Sequence, residues 1–84
     1  MKNKILVKVY VVSLSEMFEI YIPVNETIKT ITKLIVKSVD ELSDGRFPTN
    51  GNYCLIDCDS NTIYNYSTIV RDTNNMNIKK LFLI

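Results

Sequence analysis

Cys54 and Cys58 stand four positions apart, Asp57 and Asp59 flank the second of them, and Asp72 follows in a later polar stretch. Thiols and carboxylates grouped in this way could ligate a metal or assist a hydrolysis. Five Tyr interleaved with Lys could stack on nucleic-acid bases. Each of these chemistries needs a partner group that the sequence withholds. The 84 residues contain no His, so neither a Ser-His-Asp nor a Cys-His relay can form and no imidazole can bind a metal. A Cys-x3-Cys pair without His or further Cys is a poor zinc site. Along one strand the pair would lie roughly 13 Å apart, too far for a disulfide, so both read as reduced structural thiols. The three Asp fall in or beside turns, where Asp serves local hydrogen bonding. Two Gly in the whole chain cannot build a phosphate-cradling loop. The tyrosines come with no RNP-like motif and suit strands in any case. Ten basic and nine acidic residues leave a formal charge of +1, which argues against nucleic acid held by bulk charge. The expectation is no enzyme, no cofactor, no metal and no nucleic acid.

The frame for these residues is small. An apolar fraction of 46% with 23% charged residues is globular composition, and the length supports one core, hence a single domain over 1–84. Lys8 breaks the apolar run that a signal peptide would require, and no stretch approaches the ~20 apolar residues of a membrane span. The expectation is a cytoplasmic protein without membrane insertion.

Along the chain the hydrophobic period changes twice. From 5 to 12 the odd positions Ile5, Val7, Val9 and Val11 are all β-branched, while Leu6, Lys8, Tyr10 and Val12 are mixed. That is a strand with one clean buried face. After Ser13–Glu16, the residues Phe18, Ile20 and Ile22 alternate again up to Pro23, so the two strands should form a hairpin. Ile28, Ile31, Leu34, Ile35, Val39 and Leu42 then recur at helical spacing. Thr27 is placed as N-cap, and Asp44-Gly45 marks the stop, with Gly supplying the left-handed residue. Lys29, Lys33 and Lys37 line the opposite face. Such a stripe is usually a solvated face and otherwise a site for acidic partners. Tyr53–Cys58 and Thr62–Tyr64 read as short strands. Residues 67–77 are irregular, anchored by Ile69 and Met76, and Lys80–Ile84 is a last strand. The order β-β-α-β-β-β predicts an α+β fold, a mixed sheet of four to five strands with one helix across one face. The most apolar strands, first and last, should pair in parallel at its centre.

This order and length resemble the ubiquitin-like β-grasp along nearly the whole chain. Val24-Asn25-Glu26-Thr27-Ile28, followed by Ile31 and Ile35, is similar to the start of the ubiquitin helix. Ile63, Thr68-Ile69 and Leu81-Phe82-Leu83-Ile84 resemble the ladder that closes the ubiquitin core. The departure is at the end: ubiquitin and the sulfur-carrier proteins finish in a flexible Gly-Gly tail, whereas this sequence stops at Ile84 inside a strand. Among tail-less relatives it looks most like the small bacterial YukD/EsaB-type proteins, cytosolic accessories of type VII (WXG100) secretion. The resemblance implies a non-catalytic, non-conjugated protein–protein interaction module. Its alternative is a modifier or sulfur carrier whose Gly-Gly tail is missing from this chain.

The resemblance also implies a docking surface. If the odd residues of the first strand face the helix, Leu6 and Tyr10 face outward, as do Phe82 and Ile84 on the last strand. Leu14 at the hairpin tip is the counterpart of a loop leucine in ubiquitin's recognition patch. Aligning Ile63 and Ile69 with the ladder puts Ile56 inward and Leu55 outward, with Asp57 in place of ubiquitin's central isoleucine. A one-residue slip would exchange these faces, and the register stays open. Leu6, Tyr10, Leu14, Leu55, Phe82 and Ile84 are the expected patch, with hot spots at Phe82 and Ile84. Its occupant would be a protein partner, such as a secretion-system component, or a second copy in a homodimer.

Overall fold

The computed structural model describes residues 3–73 and 79–84. Strands β1 (Lys4–Val11) and β2 (Glu16–Pro23) form an antiparallel hairpin in register from Lys4 opposite Pro23 to Val11 opposite Glu16. The four-residue turn between them closes with Ser15 in the left-handed region (φ 53°). Helix α1 spans Ile28–Leu42, β3 is Leu55–Asp57, and β4 is Lys80–Leu83. The sheet order is β2-β1-β4-β3. The two most apolar strands lie side by side and parallel, with Val9 opposite Leu81 and Val11 opposite Leu83.

The helix ends as its capping residues dictate. Thr27 is extended, and its hydroxyl accepts from the Thr30 N–H at 3.3 Å. At the other end the Gly45 N–H donates to the Asp40 carbonyl (2.8 Å) and the Asp44 N–H to that of Glu41 (3.3 Å). This is a Schellman turn, in which the first left-handed residue is Asp44 (φ 59°), with Gly45 (φ 79°) continuing it. The turn folds Phe47 into the core at 2% exposure and leaves Leu42, expected on the buried stripe, 60% exposed. The other orphan amides at the helix start find backbone partners in 66–68: Ile28 N–H donates to Thr68 O (2.8 Å) and Lys29 N–H to Tyr66 O (3.0 Å). Val70 and Arg71 donate back to Glu26 and Val24 (both 2.9 Å). The segment 66–71, which includes the start of a 3-10 turn at Val70–Asp72, thus pins α1 to the end of β2.

The core lies between helix and sheet, with Ile28, Ile31, Ile35 and Val39 packed over Val7, Val9, Val11, Leu81 and Leu83. The one buried polar side chain of the helix, Thr32, donates its hydroxyl to the Ile28 carbonyl at 2.7 Å. Two expectations change. The strand expected at Thr62–Tyr64 shrinks to a single bridge, Ile63 to Ile56, because the chain must turn away at Asn65 to bring the Tyr66 carbonyl to the helix start. In the irregular segment the buried anchor is Val70, with Ile69 only half-buried. Met76 lies outside the described residues.

Candidate functional site: the open face of the sheet

With α1 on one side, every second strand residue faces away from the core. In register across the strands, Met17, Tyr10, Phe82 and Ile56 form one row, and the bridge extends it to Ile63. The Tyr10 and Phe82 rings meet edge to face, with centroids 6.1 Å apart. This geometry aligns the positive edge of one ring with the negative face of the other. A second row lies alongside. Ile84 exchanges backbone hydrogen bonds with Cys54 (2.8 and 3.1 Å), and the Val12 N–H donates to the neighbouring Leu83 carbonyl. Ile84 is 50% exposed.

The expected patch is redrawn by this register. Tyr10, Phe82 and Ile84 come together. Leu6 is exposed on the same face, opposite Tyr21. It is cut off from the rows by a charged rung in which Lys8 faces Glu19 on one side and Lys80 on the other. Leu55 is a correction. It pairs with inward-facing Leu83 and is 1% exposed, so it belongs to the core, and Ile56 takes its place outside. The slip arises because Ile63, used to set the register, is itself exposed. By the same shift Asp57 pairs with Leu81, and the outward side chain at the centre of β3 is the isoleucine. Leu14 sits in the hairpin turn, half-buried, with part of its side chain packed against the core. Met17 and Ile63 were missed. Met17 could have been found by counting back across the hairpin from Tyr10.

Of the residues first singled out for chemistry, Asp57 is engaged locally. Asp57 Oδ2 accepts from the Ser60 hydroxyl (2.7 Å) and the Ser60 N–H (3.0 Å), and Oδ1 accepts from the Tyr64 hydroxyl (3.2 Å). The Ser60 hydroxyl, foremost among these, holds the Asp57 carboxyl below its ordinary range. Burial, then the neighbouring Asp57 charge, pushes Tyr64 up to about 12. Both cysteines are free. Burial pushes the Cys58 thiol up, away from the reactive thiolate. No helix among the described residues is long and apolar enough to cross a membrane.

No protein-family profile matches the sequence, and no curated protein matches it significantly. The structure does find neighbours. One is the ubiquitin-like domain of the Mycobacterium tuberculosis type VII secretion system protein ECCD1, with a TM-score of 0.64 at 15% identity, over 95% of this chain and 98% of that one. Another is the EccD5 ubiquitin-like domain from Mycobacterium xenopi, with a TM-score of 0.68 at 12% identity, over 98% and 93%. The fold is a ubiquitin-like β-grasp. A third neighbour is a chain of the MycP5-free ESX-5 inner membrane complex, with a TM-score of 0.68 at 11% identity; 98% of this chain matches 21% of that one.

Proposed function

We propose that this β-grasp domain is a non-catalytic, non-conjugated protein–protein interaction module of the cytoplasm, an accessory of type VII secretion. The likeness of its fold to domains of secretion proteins supports the pathway. The observation that carries the docking role is the pair of apolar rows on the open sheet face, Met17–Tyr10–Phe82–Ile56 beside Ile84. Aromatic and Met side chains are what interface centres are enriched in. An edge-to-face ring pair at the centre offers area that loses little rotamer freedom on docking. The charged rung of Glu19, Lys8 and Lys80 borders the row of Tyr10 and Phe82, so a partner with complementary charge docks in one orientation.

The test is affinity capture of tagged protein from its native cytoplasm beside Phe82→Asp, resolved under denaturing conditions with mass spectrometry. The variant should remain folded, because Phe82 is only half-buried. It should lose a secretion-system component by about 30-fold or more, as expected for a hot spot. Ile84→Asp, at a more exposed position, repeats the test should Phe82→Asp unfold. An adduct that survives denaturation would replace this reading with a covalent modifier. Recovery of a second copy alone would replace it with a homodimer.

A further inference from the structure

The helix side of the molecule carries a concave surface, independent of the sheet face. Lys29, Lys33 and Lys37 of α1 form one wall, and loop 49–53 with Tyr66 forms the other, around a cavity of about 590 Å³ floored by Thr32 and Val36. We propose that this groove binds an extended acidic peptide segment whose carboxylates recur at alternate positions.

Three observations specify that occupant. The lysines repeat every four residues, so their stems are about 6 Å apart along the helix. Side chains on one side of an extended chain repeat every ~6.6–6.8 Å, so alternate carboxylates meet successive ammonium groups. None of the three lysines is already neutralised by an ion pair: among the described residues the only salt bridge is Arg46 to Glu16 at 2.6 Å. The facing wall is built rather than loose. The Tyr53 ring lies 4.7 Å from that of Phe47, and its hydroxyl donates to the Pro48 carbonyl. The Tyr66 hydroxyl donates to the Tyr53 carbonyl. Gly51 approaches so closely that a Cβ there would come within 2.9 Å of the Tyr53 ring.

The groove also has electrical polarity. Lys29 sits in the first helical turn, where the macrodipole adds positive potential, and Asp40 lines the far end, where the dipole is negative. Glu41 and Asp44 lie just beyond it. A long polyanion threading through would be repelled at that end, so a short acidic segment fits better than a nucleic-acid backbone.

The probe is a fluorescein-labelled nonapeptide alternating Glu and Ser, titrated with the whole chain at low salt and followed by fluorescence anisotropy and amide NMR shifts. Saturable binding is expected, with shifts centred on Lys33, Tyr53 and Tyr66. Lys33→Glu should weaken it about tenfold or more, since attraction becomes repulsion at the middle of the stripe. Lys33→Gln should fall between. Lys4→Glu, outside the groove, should change it less than about twofold. Phe82→Asp should leave it intact, which separates this site from the sheet face. Absence of saturation, or equal weakening by Lys4→Glu, would overturn the proposal. Tighter, Lys33-dependent binding of a single-stranded RNA oligomer, or of phosphatidylglycerol vesicles, would reassign the groove to that ligand.

Discussion

The two faces of the sheet are made by alternate residues of the same strands, yet they differ in kind. Inward, β1 presents Val7, Val9 and Val11, each fully buried, and β4 adds Leu81 and Leu83. Outward, the same strands present Leu6, Lys8 and Tyr10, then Lys80 and Phe82, all half-buried or exposed. The inner set is wholly aliphatic, the shape that packs against a helix at crystal-like density. The outer set mixes aliphatic, aromatic and charged side chains, which tolerate water while offering area to a partner. A face needed only for solubility would favour Lys, Glu and Thr. The outer face instead keeps a central apolar row with a charged rung at its side.

The contrast is sharpest between adjacent residues. Leu83 is 1% exposed and Ile84 50%. Leu83→Ala should cost about 2–5 kcal/mol of unfolding free energy, the transfer term plus the cavity. Ile84→Ala should stay within about 0.5 kcal/mol. Leu55→Ala should behave like Leu83→Ala and should exceed Ile56→Ala at the half-buried neighbour. Urea denaturation of the four variants decides it. Equal losses at Leu83 and Ile84 would mean that the outer face is covered in solution, most simply by a second copy. A larger loss at Ile56 than at Leu55 would reverse the register of β3.

How far the sequence carried this contrast depended on local redundancy. In β1 four β-branched residues at odd positions leave no second register. In α1 the stripe, the Thr27 cap and the Asp44-Gly45 stop agree with one another, so both helix limits were legible. Strand β3 lacks such redundancy. Leu55 and Ile56 are both aliphatic, and their neighbours Cys54 and Asp57 favour neither face, so the register is set only by pairing with β4. Phe47 was overlooked because a loop has no period, and its burial follows from the reversal at Asp44. The lysine stripe was visible as spacing. The wall that makes it a groove depends on Gly51, Tyr53 and Tyr66, brought together only by the tertiary fold.

The smallest expected effect lies where the two faces meet, at the edge beside β3. The Tyr64 hydroxyl donates to Asp57 at 3.2 Å, and in the folded chain Tyr64 is pushed up to about 12 from an ordinary value of 10.0. The unfolded chain therefore gives up this proton first as the pH rises. Below about pH 10 both states hold it and its contribution is complete. Between the two values the unfolded state binds fewer protons, so this contribution falls as pH rises and is lost as pH passes through the folded value. The group is only half-buried, so solvent screening should keep the contribution below about 1 kcal/mol. Other tyrosines and the lysines titrate in the same range, so the difference between wild type and Tyr64→Phe is what isolates it. Denaturation midpoints measured from pH 8 upward should fall more steeply for wild type than for Tyr64→Phe. Parallel curves would mean that Tyr64 ionises as freely in the fold as outside it, and that the edge of β3 is as open to water as the outer face.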